Sequence, residues 1–163
     1  MREILLTKGR VALVDDEDFE RVNQYKWRAV LVNNKLYASG EYRKRDGSVG
    51  NRRMHRFILS LPAGRIPLTD HRDGNGLNNQ KSNIRVATSL QNNRNARKRS
   101  DNSSGFKGVS LYKPYDKWRA TIRVNGVKKH LGYFSNPKDA ALAYDKAARK
   151  FFGDFALLNF NSI

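Results

Sequence analysis

Cysteine is missing from this chain of 163 residues. Its absence excludes disulfides and cysteine-ligated zinc, and with them the zinc-finger class of small basic domains. An intracellular life fits a chain without thiols. Long apolar runs are missing too, so no stretch reaches the length that crosses a membrane. The first residues, Met1-Arg-Glu-Ile-Leu-Leu-Thr-Lys8, carry charge within three positions and do not read as a signal peptide. No repeat of fixed period is present.

Acidic residues are scarce. Asp and Glu number 15 against 32 Lys and Arg, which leaves a formal net charge of +17 and a pI near 10.5. A polyanion is the natural partner of such a chain, and nucleic acid is the commonest polyanion. A membrane and a small-molecule substrate are not expected. The alternative that charge alone leaves open is an unspecialised basic protein, such as a ribosomal subunit. The length allows one domain or two or three small ones. Their cores must be small, so each is expected to draw part of its stability from neighbours or from a bound partner.

Three zones and a linker are legible. In residues 1–60, apolar stretches around Lys8-Gly9 predict a hairpin, and Asp15-Asp-Glu-Asp18 opens a short helix, where acids suit the positive end. Trp27 to Val32, Lys35 to Tyr42 and Val49 to Met54 predict a meander. They are broken by Asn33-Asn34 and Asp46-Gly47, dipeptides that tolerate the backbone of tight turns. A short helix from about Met54 to Leu59 follows. Residues 61–96 read as strand, loop, strand, helix: Ile66 to Thr69, a loop rich in Gly and Asn, Ile84 to Ala87, then a helix started by the capping-box pattern Thr88-Ser-Leu-Gln91. Residues 97–104 are a basic linker with no apolar period, suited to tracking phosphates as much as to plain solvation. Residues 105–163 predict strands at Phe106–Tyr112, Trp118–Val124 and Val127–Tyr133, with Asn125-Gly126 as a hairpin turn. A helix capped by Asn136 follows, with Ala140, Tyr144, Ala147 and Phe151 on its inner face and Gly153 as its stop. The fold class is α+β: a β-meander with short helices, a central ββα unit, and a three-stranded antiparallel sheet packed on one helix.

The chemistry sits in the central zone. Asp70 offers a hard carboxylate for Mg²⁺ or a similar ion, His71 titrates near neutrality and suits general-base work on water, and Asn92 adds an amide oxygen. Those parts meet the needs of phosphodiester hydrolysis, which are an in-line nucleophile and positive charge near the developing negative charge. Asp73 stands in Asp-Gly-Asn, where a turn role outweighs a ligand role. His55, in Arg52-Arg-Met-His-Arg56, reads as a packing or backbone-contact residue rather than a catalytic one. No triad supports a Ser or Thr nucleophile.

Asp70-His71, Asp73-Gly74-Asn75, Asn78-Asn79, Asn83 and Asn92, within DHRDGNGLNNQKSNIRVATSLQNN, closely resemble the HNH endonucleases of the phage and intron homing branch. The resemblance implies a ββα-metal core, Asp70 and Asn92 as ligands of one Mg²⁺ or Mn²⁺ ion per site, and His71 as general base. It implies that Asn83, the middle asparagine, bridges the hairpin and holds His71. Ile84 stands where Leu is usual. A monomer acting on double-stranded DNA in the cytoplasm or nucleoid of a phage-infected bacterial host is what such a likeness implies. So are 5′-phosphate and 3′-hydroxyl ends. One metal site in a monomer suits nicking better than double-strand cutting.

The last zone resembles the Apetala/ethylene-response-factor type of DNA-binding domain. The matching residues are Gly108-Val109, Lys117-Trp118, Ile122-Arg123, Leu131-Gly-Tyr-Phe134, Ala140-Ala-Leu-Ala-Tyr-Asp145 and Asn159-Phe160, among others. That likeness implies a sheet laid in the major groove. Strand alternation then assigns Ser110, Tyr112, Arg119, Thr121, Arg123, Lys128 and His130 to the DNA face. Lys107, with Arg97, Lys98 and Arg99 of the linker, adds phosphate contacts. Arg123 is the foremost contact. His130 replaces a usual Trp and Thr121 a usual Glu, so the plant target sequence does not carry over. Two rival readings remain at this stage: a DNA-binding regulator with a decayed nuclease site, and an RNA-binding or structural basic protein.

Overall fold

The computed structural model describes residues 1–96, 98 and 101–160. Arg97 and Arg99 of the expected linker contacts lie outside the described residues. The chain forms two compact units, Met1–Asn92 and Asn93–Ile163.

In the first unit, β1 (Arg2–Leu5) and β2 (Val11–Val14) form the expected antiparallel hairpin around a single helical turn at Thr7–Gly9. Helix α1 (Asp16–Asn23) follows with Asp16, Glu17 and Asp18 in its first turn. Strands β3 (Trp27–Val32), β4 (Lys35–Arg43) and β5 (Val49–Arg53) make an antiparallel meander in that order. Asn33 and Asn34 both take positive φ, 48° and 59°, as a two-residue hairpin turn between β3 and β4 requires. Helix α2 (Met54–Ile58) then leads to the hairpin of β6 (Leu68–His71) and β7 (Ile84–Ala87) and to α3 (Ser89–Arg94). The expected order of strand, loop, strand and helix is therefore present, with β6 running two residues later than the apolar pattern suggested. The capping box forms as read: Gln91 Oε1 accepts from the Thr88 amide at 2.8 Å, and Thr88 Oγ1 accepts from the Gln91 amide at 3.2 Å.

One core serves this whole unit. Ile84 of β7 is buried together with Ile4, Ala12, Val14, Val22, Trp27, Ala38, Met54 and Ile58. The boundary expected at residue 60 thus falls inside a shared core. The N-terminal hairpin also grips the loop between β6 and β7. Leu13 donates its amide to Leu77 O and accepts from the Asn79 amide, at 2.9 and 2.8 Å. Asp15 does not cap α1 with its side chain. Its carboxylate accepts instead from the Lys81 amide at 2.7 Å and from Gln80 Nε2 at 3.0 Å. The acids before α1 therefore also fasten the motif loop.

In the second unit, β8 (Val109–Tyr112), β9 (Lys117–Val124) and β10 (Val127–Phe134) form a three-stranded antiparallel sheet with β9 in the middle. Helix α4 (Pro137–Phe152) packs on it, its first turn capped by Asn136 Oδ1, which accepts from the Asp139 amide at 2.9 Å. Ala140, Ala141, Tyr144, Ala147, Ala148 and Phe152 are buried against Val109, Ala120 and Ile122. Phe151, expected on that face, is only partly buried, and Phe152 fills the deeper position. Strand β8 starts at Val109 rather than Phe106, because Gly108 takes φ 77° and breaks the extended run. A Cβ at Gly108 would collide with the Tyr144 ring, so this position requires glycine on both counts.

Candidate active site

Strand β6 ends on two successive residues, Asp70 and His71, that meet different partners before the chain enters the loop. Asp70 faces its cross-strand partner Arg85, whose Nε and Nη2 both donate to Asp70 Oδ2, at 2.9 and 2.7 Å. Both side chains are about nine-tenths covered, at 9% and 11% exposure, so solvent screens this pair little. His71 is buried. Its ring lies edge-on to His55 at 4.9 Å between centroids and against Tyr37 at 5.8 Å. Its Nε2 faces Asn79 Oδ1 at 3.5 Å.

Asn79 is fully buried, and its Nδ2 donates to Leu77 O at 3.0 Å. That bond fixes the amide so that its oxygen faces the imidazole. A protonated Nε2 would donate to that oxygen. Burial is the largest influence on His71 and holds its pKa below the ordinary range, while Asn79, Asp73 and Asp70 pull the other way. His55 is pushed further, to about 3, by burial first and then by the charge of His71, Arg53 and Arg56. Both imidazoles are therefore neutral at pH 7.

Asn83 pins the loop. Its Oδ1 accepts from the Asp73 amide at 3.0 Å, while its Nδ2 donates to Asp73 Oδ1 and to Asn78 O at 3.0 and 2.7 Å. Asn83 thus ties Asp73 to Asn78 within the loop, and Asn79 is the asparagine that faces His71. Asp73 serves the turn: its carboxylate also accepts from the Asn75 amide and from Asn78 Nδ2, at 2.8 and 2.9 Å. Asn92, in the first turns of α3, reaches back to β6 and donates Nδ2 to Thr69 O at 3.3 Å. Its Oδ1 is buried and has no hydrogen-bond partner among the described residues. A buried amide oxygen that hydrogen bonding inside the protein leaves unsatisfied suits a hard cation. No cluster of three His, Asp or Glu side chains able to hold a metal occurs among the described residues.

His55, Tyr37 and Asn79 are the site residues that sequence reading underrated. Tyr37 had no local signal, because it is brought in from the meander by tertiary packing. His55 carried a signal in its Met-His-Arg setting. Its packing role is correct, and what it packs on is His71. The backbone contacts of that segment belong to Arg56, which is buried and donates to the carbonyls of Pro62, Ile66 and Pro67 at 2.6–3.0 Å, shaping the approach to β6.

On the β8–β9–β10 sheet, Arg119, Thr121 and Arg123 share the face away from α4, while Ala120 and Ile122 are buried under it. Arg119 donates to Ser110 Oγ at 3.4 Å and lies over the Tyr112 ring at 5.2 Å. Arg123 folds back to Gly126 O at 2.9 Å, and Lys98 Nζ bonds Gly105 O at 2.8 Å. Lys128 and His130 are exposed. Lys107 is engaged elsewhere: Nζ donates to Arg94 O at 2.6 Å, and burial lowers its pKa to about 8. Tyr115 and Tyr133 join Tyr112 in a ring cluster with centroids 5.1–5.4 Å apart, and His130 stacks on Tyr133 at 4.5 Å. Alternation from His130 points to Gly132 rather than Tyr133. A bulge between His130 and Gly132 shifts the register so that Tyr133 pairs with Arg119.

No family profile matches the chain. An uncharacterized HNH endonuclease of Acanthamoeba polyphaga mimivirus is 33% identical over 156 residues, which cover 93% of this chain and 76% of that protein. Protein 3.8 of Escherichia phage T7 is 37% identical over 81 residues, 48% of this chain and 66% of its own length. An ethylene-responsive transcription factor of Arabidopsis thaliana is 38% identical over 96 residues, 56% of this chain and 58% of its own length. With likeness to the viral HNH endonuclease over 93% of this chain and 76% of that protein, and with the hairpin bearing Asp70 and His71 followed by a helix, the chain belongs to the HNH endonuclease family.

Proposed function

We propose that the chain is a metal-dependent DNA endonuclease that nicks duplex DNA as a monomer, and that the C-terminal sheet positions the substrate. The observation that carries this reading is the buried His71, packed against His55 and Tyr37 and facing Asn79, on the strand that also bears Asp70. The imidazole accepts the proton of the attacking water, with Asn79 Oδ1 facing Nε2 as charge develops on the ring. His55 and Tyr37 pack against the ring and limit its motion. Asn83 and Asp73 keep the loop closed behind it. Asp70 and Asn92 would hold one Mg²⁺ or Mn²⁺ ion, which when bound supplies positive charge for the scissile phosphate. Arg85 fixes the Asp70 carboxylate in the meantime.

In the second unit, Arg119, Thr121, Arg123, Lys128 and His130 with the Tyr112, Tyr115 and Tyr133 rings form the surface that meets DNA, in the manner of the plant domains that the sequence resembles. Lys107 supports this surface from behind rather than touching DNA. Tethering two weakly binding units raises the effective concentration of each on one duplex.

Incubation of supercoiled plasmid with the chain and Mg²⁺ tests this. Conversion to open circles is expected with metal, none with a chelator, and a loss of at least about a hundredfold in rate for His71→Ala. The second reading, a DNA-binding regulator with a decayed site, is favoured by the Arg85 guanidinium bound to Asp70. Duplex binding without any nicking at any Mg²⁺ concentration would establish that reading instead.

A further inference from the structure

The meander has two unlike faces. Trp27, Ala38 and Gly40 lie on one and are buried in the core. The other follows the opposite parity. On β4 it carries Lys35, Tyr37, Glu41 and Arg43; the register places Arg28 of β3 and Arg53 of β5 on either side of Ser39. Four of these residues are cationic and one, Glu41, is acidic. Lys35, Arg28 and Arg43 are exposed, and Arg53 is half-buried.

This face runs into the candidate active site. Tyr37 packs on both His55 and His71, at 6.1 and 5.8 Å between centroids, and the Arg53 guanidinium lies over the Tyr37 ring at 5.6 Å. The loop between β6 and β7 crosses the same spot, since a Cβ at Gly76 would strike Leu36 O and the Tyr37 ring. The charge of Lys35 acts on His71 and that of Arg53 on His55. Arg53 Nη1 is buried and has no hydrogen-bond partner among the described residues. Arg28 is held in place, with Nη1 on Glu41 at 3.3 Å and Nη2 on Asn51 at 2.6 Å.

From these placements we propose that the outer face of the β3–β4–β5 sheet is a track for the sugar-phosphate backbone of the substrate, with Arg43, Arg28, Arg53 and Lys35 leading the strand toward His71. The track deepens the DNA-cleavage reading and rests on it for the identity of the ligand. Residues 35 and 43 on β4 stand about 26 Å apart at strand rise. One strand of a duplex presents about eight phosphates over that length. A row of four cations with one carboxylate suits a repeating monoanion.

The test is equilibrium binding of the full chain to a labelled duplex in EDTA, measured against salt. Binding in EDTA requires no cleavage, so it stays informative if the chain proves not to be a nuclease; nicking with Mg²⁺ is scored separately. The triple variant Lys35→Gln, Arg28→Gln, Arg43→Gln removes exposed charges and is expected to keep the melting temperature. Each lost phosphate contact lowers the slope of log affinity against log salt by about 0.9. The triple variant is expected to lower it by about two to three and to weaken binding at least about tenfold at 0.1 M salt. Lys35→Gln alone, the safer variant for folding, is expected to lower the slope by about one. Lys138→Gln with Lys146→Gln on α4 removes charge away from the track and is expected to leave the slope within about 0.3 of its starting value. Slopes that fall equally in the α4 control, or that do not fall in Lys35→Gln, overturn the track.

Discussion

At the residue scale, the account turns on two buried imidazoles. A histidine whose pKa is lowered by folding binds its proton less readily in the native than in the unfolded chain. Native stability is then complete above the ordinary histidine range and falls as pH drops toward the folded value. For His55 the window runs from about 6.5 down to about 3. Between pH 7.5 and 5 this residue should cost about 2 kcal/mol of stability, a window in which most carboxylates have not yet titrated. Urea unfolding at the two pH values checks it, and His55→Phe, which keeps a ring against His71, should flatten the difference. Asn79 offers a second handle. His71 sits below its ordinary range, so the acidic limb of the rate profile should lie below pH 6.5. A carboxylate at position 79 would favour the imidazolium, so Asn79→Asp should move that limb to higher pH by about one unit or more. An unmoved limb would mean that another group limits the rate.

At the scale of elements, what the sequence disclosed depended on how local each signal was. Thr88 and Gln91 cap α3, Asn33-Asn34 turns β3 into β4, and Asn136 starts α4, all through atoms within four residues of one another. Spacing alone revealed these. The hydrogen bonds among Asp73, Asn75, Asn78 and Asn83 are equally local, falling within ten residues of the motif loop. Tyr37 and Asn79 were not recognised as walls of His71, because their roles follow from how the meander and the β2 edge fold onto the loop. Tyr133 was missed for a different reason: a single bulge in β10 breaks the two-residue period on which the assignment relied. The glycine at 108 illustrates local strain joined to packing. Gly108→Ala meets both a positive φ and the Tyr144 ring, and should cost about 2 kcal/mol or more, read as a lowered urea midpoint. Gly126→Ala has a positive φ of 83° but open space around it, and should cost about half as much.

At the scale of the whole molecule, a net charge of +17 is spread over two units that each present a basic sheet face. Small cores leave each unit marginal, and a polyanion that binds the folded form stabilises it by mass action. Duplex DNA should therefore raise the melting temperature at low salt, and the gain should shrink as salt rises. Arg123→Ala should weaken duplex binding severalfold without altering metal affinity, and equal binding by the variant would remove that residue from the interface. The central claim is that His71 takes a proton from water at a site that Asp70 and Asn92 complete. Its most direct test is chemical rescue of His71→Gly in plasmid nicking with Mg²⁺. Nicking should fall at least about a hundredfold, and added imidazole should restore part of it in proportion to its neutral form. A glycine variant that nicks at the full rate without imidazole would contradict the claim.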